Sequence, residues 1–267
     1  MGVYVVTGGS GGIGGATIDL LKEQGHEVVD VSLQDADICA DLADPKERDR
    51  VIEEIHQLYP QGIDGLCCCA GVSGAVGNTE LIVSLNYFGA VDLALGLYDL
   101  LKQKKGSCVM VSSNTISDGA ARMDLVNMLN YHHMRRENER RILELVAGWG
   151  ASGDVRVGHS VYTASKYALA RWVRRASATW AANGVRLNAV APGNVKTPMT
   201  DALQGQARLM LSAIPIPINY GSDELMEAED IAQGIVFLLS PAGRGINGNV
   251  LFIDGGTDAL LNSEKVY

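Results

Sequence analysis

The chain is short of three things that mark whole classes of protein: positive charge, unbroken apolar sequence and regularly spaced cysteine. Lys and Arg number 22 against 31 Asp and Glu, and the net charge of −9 repels a phosphate backbone at long range. No nucleic-acid partner is expected. No stretch reaches the ~18 apolar residues of a membrane span, and the opening MGVYVVTGG has neither the basic region nor the long apolar core of a secretory signal. A cytoplasmic protein without membrane association is expected. The five cysteines, at 39, 67, 68, 69 and 108, lack the two-residue spacers of zinc pairs. Three of them are consecutive and would point to alternate faces of a strand, so all are read as buried free thiols, with no metal site.

What is present fits one α/β domain. The 267 residues are 47% hydrophobic and 20% charged, enough for a substantial core. Short apolar runs at 3–6, 27–31, 65–68, 108–111, 185–190 and 249–253 alternate with helical segments at 12–24, 45–58, 87–103, 161–183 and 222–239. That rhythm predicts a Rossmann-type, doubly wound parallel sheet with helices on both faces, as a single dinucleotide-binding catalytic domain over 1–267. One segment interrupts it. Over 118–159, Met123, Val126, Leu129, Ile142, Leu145 and Val146 recur at helical spacing and predict an inserted helix or helix pair. Its charged centre, 134–141, reads as a solvated face, and the adjacent His132 and His133 as solvent or interface residues.

The first strand is followed by Thr7-Gly8-Gly9-Ser10-Gly11-Gly12-Ile13-Gly14, opening a helix. In that context Gly8 permits a tight turn, Gly12 lets backbone approach a pyrophosphate, and Gly14 lets helix pack on sheet. Ser10, Gly11 and Ile13 complete the loop, and the helix amino end offers unpaired N–H groups to phosphate.

Tyr162 and Lys166 stand four residues apart in a helical segment and so share a face. A phenol with a pKa of about 10 is a poor base at neutral pH, but a nearby ammonium and a cationic ring favour phenolate. Tyr162 can then exchange a proton with an alcohol or ketone oxygen. Ser113 ends an apolar strand at the edge where such sheets bind ligands, and could orient the same oxygen. Taken alone, the pair also fits a surface Tyr beside a solvated Lys, and Ser113 equally fits a turn cap.

Together these residues resemble the short-chain dehydrogenase/reductase family over essentially the whole chain. The matching motifs are Thr7-Gly8-x-x-x-Gly12-x-Gly14, Asp41-Leu42, Ala70-Gly71, Asn86, Ser113, Tyr162-x-x-x-Lys166, Pro192-Gly193 with Thr197, and Asp254-Gly255-Gly256. The resemblance implies a catalytic tetrad of Asn86, Ser113, Tyr162 and Lys166, with Asn86 kinking its helix and helping to hold a water. It implies proton passage from Tyr162 through the cofactor ribose and Lys166 to solvent. Asp41 and Leu42 would lie at the adenine, Ala70 and Gly71 along the adenosine ribose, and Thr197 at the carboxamide, with Pro192, Gly193 and Val195 shaping that wall. Cys68 and Cys69 stand where the family usually carries an asparagine pair. The separation of Ser113 from Tyr162 is several times the usual one, filled by the insertion. That insertion, with 84–90 and 252–259, is similar to a bacterial 3α-hydroxysteroid dehydrogenase/carbonyl reductase group, which implies a homo-oligomer, a dimer ahead of a tetramer.

By register with that group Ser32 takes the position of the usual acidic ribose ligand, while Asp30, Asp35 and Asp37 surround it without a nearby Lys or Arg. A negative field disfavours a 2′-phosphate, so NAD(H) is expected ahead of NADP(H). From Thr197 to Tyr220 the chain carries Met199, Leu203, Leu209, Met210, Leu211, Ile214, Ile216 and Ile218. Such a segment, 198–222, can close as a lid over an apolar substrate, Met199 and Leu203 touching it. A bulky ketone or secondary alcohol, such as a hydroxysteroid or bile acid, is expected. A smaller ketone is the alternative, and a non-catalytic nucleotide sensor a remote one.

Overall fold

The computed structural model describes residues 1–132, 136–205, 214–219, 222 and 225–266, with backbone alone at 132, 136 and 137. His133, Leu209, Met210, Leu211 and Tyr220 lie outside the described residues, as does the side chain of His132. In chain order the elements are β1 (Val3–Thr7), α1 (Gly12–Glu23), β2 (Glu27–Ser32), β3 (Ile38–Cys39), α2 (Pro45–Leu58), β4 (Gly65–Cys68) and α3 (Thr79–Val83). A π-helical turn, Ser84–Gly89, leads to α4 (Ala90–Gly96), α5 (Tyr98–Lys104) and β5 (Ser107–Val111). Then come α6 (Met123–His132), α7 (Arg136–Gly150), α8 (Val155–Ala182), β6 (Arg186–Pro192), α9 (Pro198–Asp201), α10 (Ala228–Leu239), β7 (Val250–Ile253) and α11 (Thr257–Leu261).

The strands form one parallel sheet in the order β3-β2-β1-β4-β5-β6-β7. β4 and β5 are buried throughout, which is why they read as continuous apolar runs rather than as alternating patterns. Successive side chains still face opposite ways: Cys68 packs in the core beneath α4, α5 and α8, Cys67 in the core beneath α1 and α10. The order reverses between β1 and β4, and the crevice outside the carboxyl ends of these strands is where such sheets hold ligands. Backbone closes this seam: the Ala70 N–H donates to Thr7 Oγ1 at 3.1 Å. A Cβ on Gly8 would stand 2.8 Å from the Ala70 backbone.

Local chemistry explains where the elements differ from expectation. α8 starts at Val155 rather than at 161, because Asp154 accepts from the Arg156 N–H and caps the helix there. α10 starts at Ala228 rather than at 222, behind Glu227 and Asp230, which cap each other reciprocally. The segment expected as one helix over 87–103 is a longer run from Thr79 to Lys104, interrupted by the π turn and again at Leu97. β3, two residues long, has too little pattern to be seen in advance. The insertion is a helix pair, α6 and α7. Its charged centre is not wholly solvated: Glu139 is buried, because Arg48 on α2 reaches it at 2.5 Å from beneath. No single helix among the described residues is long and apolar enough to cross a membrane.

Candidate active site

The crevice floor is glycine for geometric reasons. Gly8 and Gly12 adopt left-handed backbone, with φ of +77° and +55°, which a side chain would strain. A Cβ on Gly14 would lie 2.1 Å from the Gly8 carbonyl oxygen, so α1 could not enter at this angle with any other residue. Gly11 caps α1 with no side-chain hydrogen bond, so no capping side chain occupies the first-turn N–H groups, and Gly11–Gly14 line the crevice. A cradle closed to side chains and rimmed by uncapped N–H groups fits a dinucleotide pyrophosphate.

Opposite this loop, α8 and the end of β5 bring the expected polar groups together. Tyr162 is half-buried, Ser113 and Lys166 are buried, and all three line one cavity with the glycine loop. Thr115 donates to Ser113 Oγ from its N–H at 3.3 Å and from its hydroxyl at 3.2 Å, which leaves the Ser113 proton available to the cavity. Thr115 was not foreseen as part of the site; only its place two residues past Ser113 hinted at it. Lys166 Nζ donates to the Val111 carbonyl at 2.8 Å. Burial lowers its pKa to about 8.

The chain's own groups act on the tyrosine in the following way. Burial pushes the Tyr162 phenol above its usual value, and the Ser113 hydroxyl only partly offsets this. Lys166 Nζ is engaged on the Val111 carbonyl, and burial is the larger influence on the phenol. The chain alone keeps Tyr162 a proton donor.

Asn86 sits in the π turn, buried, with Oδ1 accepting from the Val72 N–H at 2.8 Å and Nδ2 donating to the Val72 carbonyl at 2.9 Å. It does not itself line the cavity but lies just behind Gly71, where a Cβ would stand 2.9 Å from Asn86 Oδ1 and 3.4 Å from Lys166 Nζ. The absence of that Cβ lets the two groups converge. The insertion braces this turn from both sides. Arg48 bonds the Ser84 carbonyl and the Glu139 and Asp92 carboxylates, while Tyr87 donates to the Leu129 carbonyl at 3.0 Å. One turn before Tyr162, Gly158 lies against Gly74 so closely that a Cβ there would meet the Gly74 oxygen at 2.2 Å.

The cavity holds about 660 Å³. Along its wall the structure gathers Gly8, Ser10, Gly11, Gly12, Ile13 and Gly14, then Ala70 and Gly71, then Pro192, Gly193, Val195 and Thr197. Met199 and Leu203 stand there too, with Ile214. Unforeseen neighbours are Cys69, Asn114 and His159, the last with Nε2 3.1 Å from Asp118 Oδ2. Ser32, Asp41 and Leu42 are not on this wall. Ser32 is buried and turned inward, its hydroxyl donating to Asp30 at 2.7 Å and accepting from the Ser10 N–H at 3.3 Å. Asp30 also accepts from the Gly9 N–H, so it serves the loop rather than projecting outward. Asp41 is exposed and caps the following turn through the Ala43 N–H, and Leu42 is buried against Gly89. A cation escaped the linear reading: Arg50 donates to the carbonyl of Cys39, the residue paired with Ser32, but Glu47 and Glu54 hold it.

Comparison with known proteins agrees with this architecture. Residues 2–131 match the short chain dehydrogenase model, and residues 128–258 match the model described as enoyl-(acyl carrier protein) reductase. The 3-alpha-hydroxysteroid dehydrogenase/carbonyl reductase of Comamonas testosteroni is 32% identical, covering 98% of each chain. A coniferyl-alcohol dehydrogenase of a Pseudomonas species is 31% identical over 94% of each. Among solved structures, the 3-alpha-hydroxysteroid dehydrogenase from Pseudomonas sp. B-0831 complexed with NADH superposes with a TM-score of 0.88 at 35% identity, covering 99% of this chain and 100% of that one. The chain belongs to the short-chain dehydrogenase/reductase family. It is an NAD(P)-dependent oxidoreductase of the alcohol dehydrogenase/ketone reductase type.

Proposed function

We propose that the protein interconverts a secondary alcohol and a ketone on a bulky apolar ring system of the hydroxysteroid type, with Asn86, Ser113, Tyr162 and Lys166 as its working residues. The observation that carries this reading is one cavity joining the glycine cradle, the Ser113–Tyr162 pair and an apolar flank of Met199, Leu203 and Ile214. Bound in the cradle, a nicotinamide nucleotide supplies or accepts the hydride. Gly8, Gly12, Gly14 and the amino end of α1 hold its phosphates, with Ala70 and Gly71 beside the adenosine ribose and Thr197 and Val195 beyond. Ser113 donates to the carbonyl oxygen and fixes it beside the phenol. Tyr162, protonated in the buried site, delivers its proton to that oxygen in reduction and takes it back in oxidation. Lys166, its pKa lowered to about 8 by burial, can release and regain a proton near neutral pH and so pass protons onward from the site. Asn86 is a positioning residue that fixes the Val72 backbone next to Gly71 and Lys166.

NAD(H) is the preferred coenzyme in this reading, since the only cation beside the β2–β3 edge is neutralised by two glutamates among the described residues. The segment 198–222 serves as the lid, its described part supplying Met199, Leu203 and Ile214 to the cavity. The whole of 1–267 acts as one catalytic domain, and the chain works as a homodimer, a state that light scattering tests. A smaller, more polar alcohol is the second reading, favoured by Asn114, Thr115 and His159 on the same wall. Turnover of 3-, 7- and 17-hydroxysteroids, bile acids and small ring ketones with NAD(H) and NADP(H), followed by NADH absorbance, decides between them. The account expects steroid turnover with NAD(H); good small-ketone turnover without any steroid turnover would sink the first reading.

A further inference from the structure

Besides Cys39, which is exposed, Cys69 departs from the expectation that every thiol is buried. It is half-buried at the mouth of β4, on the cavity wall next to Gly8 and Ala70. Its Sγ lies 3.3 Å from Cys67 Sγ, on the same side of the sheet. Cys68 between them faces the other core, where its thiol donates to the Ala90 carbonyl at 3.7 Å. The two sulfurs differ in environment. Cys67 is buried, and its hydrogen bond to Cys69, with burial, keeps it a protonated thiol. Cys69 is reached from the cavity, whereas Cys67 is not. A partly exposed thiol with a second sulfur within reach is the one an oxidant in the cavity meets first.

We infer that Cys67 and Cys69 form a reactive thiol pair in the nucleotide cleft, a modification site at which a hydroperoxide oxidises Cys69 and Cys67 resolves the product as a disulfide. In the first step the Cys69 sulfur attacks the peroxide O–O bond; sulfur is oxidised to a sulfenic acid, and the peroxide is reduced to water or an alcohol. In the second step the Cys67 sulfur attacks the sulfenic sulfur, an S–S bond forms, and the S–OH hydroxyl leaves as water with the Cys67 proton. The pair thus loses two hydrogen atoms overall. The cross-link pins Cys69 beside Gly8, so it changes the floor on which a nucleotide would rest, and a bound nucleotide covers the thiol. That shielding alone rests on the placement of the nucleotide proposed above.

The test is peroxide treatment of the full-length protein carrying Cys39→Ser, which removes the exposed cysteine outside the cleft. Intact mass and tandem mapping are read with and without NADH, and again in Cys69→Ser and Cys68→Ser. Expected are the loss of two hydrogens mapped to Cys67–Cys69, its reversal by dithiothreitol, its persistence in Cys68→Ser and its absence in Cys69→Ser. NADH at about ten times its Kd slows the reaction roughly tenfold, as occupancy dictates. Cys69 recovered as a free thiol, or as a sulfinic acid with Cys67 still reduced, overturns the inference. A disulfide that forms at the same rate with NADH upholds the pair and counts against the nucleotide placement.

Discussion

The glycine cradle and the braced turn around Asn86 both serve the crevice, one lining it and the other standing behind its wall, yet they are built by opposite means. The cradle is local: within eight residues, β1 ends, Gly8 turns, and Gly14 comes within a clash of the Gly8 carbonyl. The turn at Ser84–Gly89 is held by distant partners. Arg48 and Glu139, 91 residues apart, share a buried ion pair, and Thr79 donates to the Val146 carbonyl at 2.7 Å. The lesson is that the nucleotide side of this site depends on what side chains are absent, the catalytic side on what long-range side chains are present. The insertion is therefore part of the site's support, not an ornament on its surface.

The largest effect separating the two regions is expected at the ion pair. Arg48→Met leaves Glu139 buried without its cation and should cost about 3–5 kcal/mol of stability, read from the shift in denaturant midpoint. Arg48→Met with Glu139→Leu should recover most of that loss, since a well-packed apolar pair avoids the uncompensated charge. A single variant as stable as the parent would show that the insertion braces nothing. Next comes Gly14→Ala, which pushes a methyl into the Gly8 carbonyl and should cost about 1–3 kcal/mol. Weaker NADH binding, measured by fluorescence titration, should accompany it; unchanged binding would mean that the cradle does not seat the nucleotide.

The smallest effect concerns protonation. Lys166 carries a pKa lowered from 10.5 to about 8 by burial. Between these values the unfolded chain holds a proton that the folded one has released, so this group adds stability as pH rises from about 8 toward 10.5. Below about 8 that contribution is gone, because the buried amine must charge. The difference in unfolding free energy between the parent and Lys166→Met should grow over this window, and a difference flat in pH would contradict the burial of the amine.

The same contrast explains how much could be read in advance. The parallel sheet, the cradle and the gathering of Ser113, Tyr162 and Lys166 were legible, because they follow from strand rhythm, glycine spacing and a four-residue helical repeat. Glu139 was not, because a charged run on a helix looks solvated until its partner on α2 is known. Thr115 and Cys69 were hidden because a turn residue and a strand-end thiol acquire meaning only beside Ser113 and Gly8. The bond of Lys166 Nζ to Val111 was hidden for a related reason: a four-residue spacing places Lys166 on the face of Tyr162 without fixing where its ammonium bonds.

Tyr162→Phe tests the central claim most directly, because it deletes one hydroxyl and leaves the cradle untouched. With the best substrate of the panel, the account predicts a fall in turnover of roughly 10²–10⁴-fold, the range for loss of a positioned acid–base group. NADH binding, measured by fluorescence titration, should be unchanged. Turnover close to that of the parent, with NADH still bound, would contradict the role of Tyr162 as the proton donor.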